Sequence, residues 1–237
     1  MRKHLVRILL ILIICLLAAG GSLLYSGHKR YLEETELLPI EEAVEQYTAK
    51  ENYVTFENID EDFINAVISV EDKRFFERKG YDLIALCQAL YHNFLAKDLV
   101  EGASTISEQI AKNLYLGGYV NGLEEKTAEI YIMLELEKTY SKQELFALYA
   151  NMNYYGDGYW GIKDAAWGYY KNDPADLSLG EAAMLAGIPN APAVYQLSSG
   201  YDLAKQRQAW VLQTMYSNGY ISEEEKDLAL KEDVCPK

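Results

Sequence analysis

Glu71 follows a stretch of apolar residues, which is an unusual place for a carboxylate. We predict one helix over residues 61–76, and residues three, four and seven apart on a helix share a face. The residues that would share a face with Glu71 are all apolar: Ile64, Val67, Ile68 and Phe75. Partial burial raises the pKa of a carboxyl group, which suits proton transfer near neutral pH. Glu71 is therefore a candidate general base, unless the helix leaves the core here and the side chain reaches water.

A second stretch, residues 101–113, leads from small residues into a helix start that is rich in hydroxyl groups. Thr105 and Glu108 fit a capping box, in which a hydroxyl and a carboxyl satisfy each other's backbone amides. Free amides at a helix amino terminus suit a phosphate, and Lys112 lies two turns further on, where it could reach the same anion. The alternative is an ordinary capped helix with a surface lysine.

A third stretch carries a second carboxylate on an apolar face. Glu129 lies three residues after Lys126. The other residues on its face would be Ile132, Met133 and Leu136. The alternative is a surface pair of Glu129 and Lys126, which would contribute only about 0.2–0.5 kcal/mol.

The elements that must position these side chains are helices. Several have clear start or stop signals, such as Ser178 with Glu181 in a second capping box. The predicted helices cover residues 61–76, 82–97, 105–115, 123–138, 142–150, 160–170, 179–187, 201–217 and 223–230. No segment alternates convincingly between apolar and polar residues, so we predict a mainly α fold.

The amino-terminal segment differs from the rest of the chain. Leu5 to Tyr25 is an almost unbroken apolar run, and about twenty such residues are needed to cross a bilayer. The basic residues that precede or open the run favour a cytoplasmic amino terminus: Arg2, Lys3 and Arg7. We predict an uncleaved single-pass anchor with residues 31–237 outside the cytoplasm. The alternative is a cleaved signal peptide.

This anchor divides the chain into three expected parts. Residues 1–30 form the cytoplasmic tip and the transmembrane anchor, the polar residues 31–58 form a stalk, and residues 59–237 form the folded domain. The net charge of −14 argues against nucleic-acid binding, which requires a basic surface. The three cysteines do not follow the spacing of a disulfide framework or a metal site.

Taken in order, the motifs resemble those of the peptidoglycan glycosyltransferases of family 51. These enzymes form the transglycosylase module of class A penicillin-binding proteins and also occur alone as monofunctional transglycosylases. The matching residues run Glu71-Asp72-x-x-Phe75, Gly102-Ala103-Ser104-Thr105-Ile106-x-x-Gln109-x-x-Lys112-Asn113, Lys126-x-x-Glu129, Leu148-Tyr149-x-Asn151-x-x-Tyr154-Tyr155-Gly156, and Leu177-Ser178-Leu179-x-Glu181-Ala182. One anchor and no recognisable transpeptidase domain are similar to the monofunctional type.

The resemblance implies a lysozyme-like helical head with a small hydrophobic jaw on a bacterial cell membrane. It implies polymerisation of lipid II into glycan strands by an inverting transfer, with lipid II, the growing strand and the membrane as partners. Glu71 would deprotonate the acceptor's 4-hydroxyl, and Glu129 would assist the donor pyrophosphate by orienting lysines or through Mg²⁺ or Mn²⁺. The residues implied in substrate binding are Asp72, Phe75, Arg78, Ser104, Thr105, Gln109, Lys112, Asn113 and Lys126.

Four positions depart from the family pattern. The family usually has His at Arg78, Gln at Glu108, and Arg and Lys at Glu125 and Ala128. Three of these changes make the donor side more acidic, by amounts on the order of kcal/mol at close range. This leaves open a degenerate homologue that binds lipid II or a cell-wall synthase as a scaffold. A lytic, lysozyme-like hydrolase that uses Glu71 is a third hypothesis.

Overall fold

The computed structural model describes residues 2–78 and 104–236, and within these ranges it is helical and contains no β-strand. The predicted helix over 82–97 lies outside the described residues. The α-helices are α1 (Arg2–Leu37), α2 (Ile40–Thr48), α3 (Glu61–Glu71), α4 (Ile106–Tyr115), α5 (Gly122–Thr139), α6 (Lys142–Met152), α7 (Ile162–Tyr170), α8 (Leu179–Gly187), α9 (Pro192–Tyr195), α10 (Leu197–Asn218) and α11 (Glu223–Lys231). Short 3₁₀ turns cover Phe56–Asn58 and Ile188–Asn190. The mainly α prediction is confirmed.

Helix α1 is one continuous helix of 36 residues. Its segment Val6–Leu37 is long and apolar enough to cross a membrane, by length and composition, and its apolar window is not covered by the rest of the described chain. The carboxy-terminal part of α1 then packs against α5. A helix that could serve as the predicted anchor is therefore present, and it continues seven residues beyond the predicted end of the anchor at residue 30.

The segment expected to be a stalk packs on the head along part of its length. Ile40 and Val44 on α2, and Val54 after it, are buried in the hydrophobic core. Asn151 at the end of α6 accepts a hydrogen bond from the Val54 amide at 2.9 Å and donates one to the Val54 carbonyl at 2.8 Å. Part of the segment assigned to the stalk therefore packs against the head, while the division of the chain at residues 30 and 58 stays a prediction.

Helix α3 ends at Glu71, five residues earlier than predicted. Asp60 caps its start, and its side chain accepts from the amides of Asp62 and Phe63. At the other end Asp72 leaves the helical conformation with φ −158° and ψ 76°, and its side chain binds groups elsewhere in the fold. The periodicity could not show this ending, because its cause lies in residues far along the chain.

Local capping signals predicted helix starts more accurately. Both predicted capping boxes are formed, by Thr105 with Glu108 and by Ser178 with Glu181. Helix α7 begins at Ile162 because Gly161 has φ 85° and packs against the Asn151 carbonyl, where a Cβ would lie 2.8 Å from the oxygen.

The core that supports the site joins two helical groups. Helices α3, α8 and α10 pack on one another, and α4 packs between α5 and α6. Fully buried aromatic side chains fill the space between the groups: Phe63, Phe75, Phe146, Tyr149 and Tyr155. The end of α3 is thereby held against α4, which brings the first and second motifs together.

Candidate active site

Glu71 is the last residue of α3, and its carboxylate is partly buried against α4. Gln109 donates a hydrogen bond from Nε2 to Glu71 Oε2 at 2.6 Å. Burial raises the pKa of the Glu71 carboxyl, and this effect exceeds the lowering by Gln109, Arg207 and Lys112. The geometry therefore gives Glu71 the features of a general base: a fixed position, a raised pKa and nearby cations.

Asp72 connects the end of α3 to the start of α4. Its Oδ2 accepts a hydrogen bond from the Ile106 amide at 3.3 Å. Arg78 donates to both carboxylate oxygens of Asp72 and, through Nη1, to Glu137 Oε1 at 2.7 Å. Asp72 and Arg78 are both buried and paired, so in this arrangement they act on Glu71 by fixing the backbone beside it.

Phe75 lies below this network in the aromatic core. It is fully buried and packs against Phe76 and Phe146, with ring centroids 5.1 and 6.4 Å apart. The Lys142 ammonium lies 4.5 Å from the centroid of the Phe75 ring and 2.7 Å from Glu137 Oε1. Phe75 thus supports the turn after Glu71. The prediction that Phe75 shares a helical face with Glu71 is wrong, because α3 has ended and the chain forms a turn there.

The start of α4 differs from the phosphate-binding terminus that the sequence suggested. The Thr105 amide and hydroxyl both donate to Glu108 Oε2, at 2.8 and 2.9 Å. The next amide, of Ile106, donates to Asp72. Two of the amides expected to be free are therefore already bound to carboxylates of the protein itself. Ser104, just before them, is exposed.

Lys126 bridges two buried carboxylates. Its Nζ lies 2.8 Å from Glu108 Oε1 and 3.1 Å from Glu129 Oε2. The Lys126 side chain is 34% exposed, whereas those of Glu108 and Glu129 are 1% and 2% exposed. Burial raises the pKa of Glu129, although Lys126 opposes this effect. Burial lowers the pKa of Lys126, but the two carboxylates outweigh it and leave that pKa raised.

The donor set at Glu129 does not fit a divalent metal ion. A metal would take the place between Glu108 and Glu129, where the Lys126 ammonium already makes two ion pairs. In residues 2–78 and 104–236 there is no group of three or more His, Cys, Asp or Glu side chains that could hold a metal ion.

Lys112 lies between the two carboxylate sites. It is on α4, one turn after Glu108, and its charge lowers the pKa of both Glu71 and Glu129. Within the described ranges its ammonium makes no hydrogen bond or ion pair. Asn113 follows it and points toward the loop after α4, where its Oδ1 would lie 3.4 Å from a Cβ at Gly118. Lys112 is thus a partly buried cation that an anionic ligand could pair with.

Arg207 on α10 is the site residue that the motifs did not include. Its charge lowers the pKa of Glu71, and its guanidinium lies 4.0 Å from the Trp210 ring centroid. Its stem packs on Gly187, where a Cβ would lie 2.8 Å from Arg207 Cγ. Arg207 shares a helical face with the buried Ala204 and Val211. A charged residue on an apolar helical face is the same sequence signal that identified Glu71.

The site thus defines a class of protein: one with a carboxyl group of raised pKa beside cations that could pair with an anionic ligand. The sequence profile of the transglycosylase family matches residues 39–216, which is most of the chain. The chain therefore belongs to the transglycosylase family.

Relatives at 35% and 36% identity are consistent with this membership. The chain is 35% identical to penicillin-binding protein 1F of Bacillus subtilis in an alignment of 235 residues, which covers 94% of this chain and 33% of that protein. It is 36% identical over 222 residues to a Cupriavidus necator protein whose name describes it as a transglycosylase, with 94% of both chains covered. The crystal structure of penicillin-binding protein 1A from Haemophilus influenzae aligns with a TM-score of 0.48 and 22% identity, over 78% of this chain and 18% of that chain.

The lengths of the relatives differ. This chain spans a third or less of the matched penicillin-binding proteins 1F and 1A, the latter from Aquifex aeolicus. It spans nearly the whole of the Cupriavidus necator protein. The chain therefore corresponds to only part of the longer relatives.

Proposed function

We propose that this protein polymerises lipid II into glycan strands at the membrane surface, with Glu71 as the base for the acceptor sugar. One observation carries the proposal: two adjacent residues of helix α4 hold the two sides of the site. Gln109 binds Glu71, and Glu108 binds Lys126. A proton acceptor and a cationic region are therefore connected through a single turn of one helix.

The reaction can be written with these groups. The Glu71 carboxylate takes the proton of the acceptor's 4-hydroxyl as that oxygen attacks the anomeric carbon of the lipid-linked donor. The bond from this carbon to the pyrophosphate oxygen breaks with inversion, and the lipid pyrophosphate leaves as an anion. Lys112 and Lys126 lie where they could stabilise the developing negative charge. The new glycosidic bond forms directly, so no covalent glycosyl-enzyme is required.

The acceptor side has stronger support than the donor side. The hydrogen bond from Gln109 and the raised pKa of the Glu71 carboxyl prepare Glu71 for proton transfer. On the donor side the Lys126 charge is offset by Glu108 and Glu129, which leaves Lys112 as the more available cation. This balance favours a second candidate, a scaffold that binds lipid II without turning it over efficiently.

The decisive experiment uses the purified full chain in bilayers that contain lipid II. We expect glycan polymer from the wild-type chain and a loss of about 10²–10⁴-fold in rate for Glu71→Gln, the range typical of a general base. Glu77→Gln, which changes an exposed carboxylate six residues away, serves as the control and should retain the rate. Absence of polymer alongside an active reference transglycosylase would leave the scaffold, and release of soluble fragments from purified cell wall would indicate the hydrolase.

A further inference from the structure

The carboxy-terminal part of α1 approaches α5 closely at Gly27. A Cβ at Gly27 would overlap Cβ and Cγ2 of Thr127 and would lie 3.2 Å from the Ala128 amide nitrogen. Gly27 is buried, and Ala128 opposite it is fully buried. Small residues at a crossing let two helix backbones come together, as in packed membrane helices. The contact therefore depends on the absence of a side chain at Gly27.

The register of the two helices extends this contact outward. The Tyr131 ring lies 5.0 Å from the ring of His28 and 5.9 Å from that of Tyr31, measured between centroids. Because Gly27 meets Thr127 and Tyr31 meets Tyr131, the two helices run in the same direction, side by side. Farther along, the Tyr115 hydroxyl on α4 donates to the Leu38 carbonyl at 2.9 Å. In the other direction, a Cβ at Gly21 would have no atom within 4 Å.

We propose that Gly27 is a positioning residue for the donor side of the transfer, a role that rests on the function proposed above. Its contact residue Thr127 lies directly after Lys126 and two residues before Glu129, so the closeness of α1 to α5 determines where these charges stand. The apolar run ends at Tyr25, about 3 Å of helix before Gly27. The anchor therefore holds Lys126 near the outer end of the span, at the depth of a lipid pyrophosphate.

The first test measures the contact without any turnover. The native cysteines are replaced by serine, and Gly27→Cys is combined with Thr127→Cys in the full chain in bilayers. Oxidation should give an intramolecular disulfide, found by mass spectrometry after proteolysis, because the overlapping Cβ atoms need to separate by only about 1–2 Å to reach the roughly 3.5–4.5 Å of a disulfide. Gly21→Cys with Thr127→Cys is the control and should remain reduced. A failure of the 27–127 pair to cross-link would overturn the contact, whatever the enzyme does.

The second test measures the consequence for the donor. In a Glu71→Gln background, which separates binding from turnover, Gly27→Leu should weaken lipid II affinity about tenfold, since small displacements of positioned groups have effects of this size or more. Gly21→Leu makes the same change on the same helix without a contact and should bind normally. With Glu71 present, Gly27→Leu should lower kcat/KM for polymerisation by a similar factor.

Rescue distinguishes positioning from simple damage. Gly27→Ala should weaken binding, and adding Thr127→Gly, which moves the small residue to the other helix, should restore it while circular dichroism shows both variants folded. Unchanged lipid II affinity in folded Gly27→Leu and Gly27→Ala would refute the proposal. If the wild-type chain makes no polymer, the function proposed above fails, while the affinity measurements still decide the role of Gly27.

Discussion

The Glu71 carboxyl is subject to opposing influences from residues of three helices. Burial at the end of α3 raises its pKa, whereas Gln109 and Lys112 on α4 and Arg207 on α10 lower it. Each influence acts on the same proton, so the pH at which Glu71 becomes a base depends on all of them. The net result is a carboxyl with a raised pKa that is still surrounded by positive charge.

Removing the charge of Arg207 should shift the pH dependence of the reaction. Because Arg207 lowers the pKa of Glu71, Arg207→Gln should raise that pKa, and the rising limb of kcat/KM against pH should move to higher pH. Arg207→Lys keeps the positive charge and should leave the limb close to its wild-type position. Identical limbs for wild type and Arg207→Gln would show that Arg207 does not act on Glu71.

The same raised pKa predicts a stability effect. A carboxyl whose pKa is higher in the folded than in the unfolded state destabilises the fold as pH rises between the two values. Glu71→Gln should therefore give a higher Tm than wild type at pH 7, and the two should have equal Tm below pH 4.5, the ordinary pKa of the group. Thermal unfolding followed across pH measures this difference. A lower Tm for Glu71→Gln at pH 7 would contradict it.

Helical periodicity predicted some site residues and could not predict others. It identified Glu71 and Glu129 because each lies on an apolar face of its own helix. It could not show that the Ile106 amide is bound, because the acceptor, Asp72, lies 34 residues away in the sequence. Arg207 lay beyond the motifs, although its own helical face contained the same signal. Local patterns thus found candidate residues, and tertiary contacts determined which groups remain available.

At the scale of elements, α4 connects the two halves of the site. Its capping residue Glu108 satisfies the helix start and also binds Lys126. Helix α6 contains the same capping box, Ser141 with Glu144, on the exposed surface and without a lysine partner in the described structure. Glu108 and Glu144 thus share the capping role, but only Glu108 also pairs with a lysine on the donor side within the described structure.

A substitution at Glu108 can therefore be compared with the same substitution at Glu144. Glu108→Gln keeps a residue that suits a capping box and removes one negative charge beside Lys126. We expect about a fivefold lower KM for lipid II, an effect on the order of 1 kcal/mol for a charge in this partly exposed setting. Glu144→Gln should leave KM unchanged. A higher KM in Glu108→Gln, with Tm preserved, would show that the anion does not use this region.

Helix starts and helix ends differed in how well the sequence predicted them. Starts with capping boxes were correct within one or two residues, because a hydroxyl and a carboxyl three residues apart form a local signal. The end of α3 was missed because the side chain of Asp72 is held by Ile106 and Arg78. The α2 region was assigned to a stalk because its polar residues dominate the composition, yet Ile40 and Val44 fill the core.

At the scale of the whole molecule, an ammonium takes the place that a metal ion could have had. Since Lys126 already pairs with Glu108 and Glu129, we expect the rate of lipid II polymerisation to persist in excess chelator without added divalent cations. The measurement compares chelated samples with samples that contain Mg²⁺ or Mn²⁺. Loss of the rate on chelation and its return with Mg²⁺ would show that a metal binds elsewhere or displaces the lysine.

The continuity of α1 has a consequence for the lipid environment. A helix of 36 residues is about 54 Å long, the hydrocarbon core of a bilayer is about 30 Å thick, and no break separates the span from its contact with α5. A mismatch in thickness would tilt the span, and the rigid connection would tilt the head with it. Polymerisation should therefore reach a maximum at one acyl-chain length and fall on both sides, and a flexible Gly-Ser insertion after Tyr25 should flatten this dependence. Bilayer thickness would then regulate the protein without binding to it.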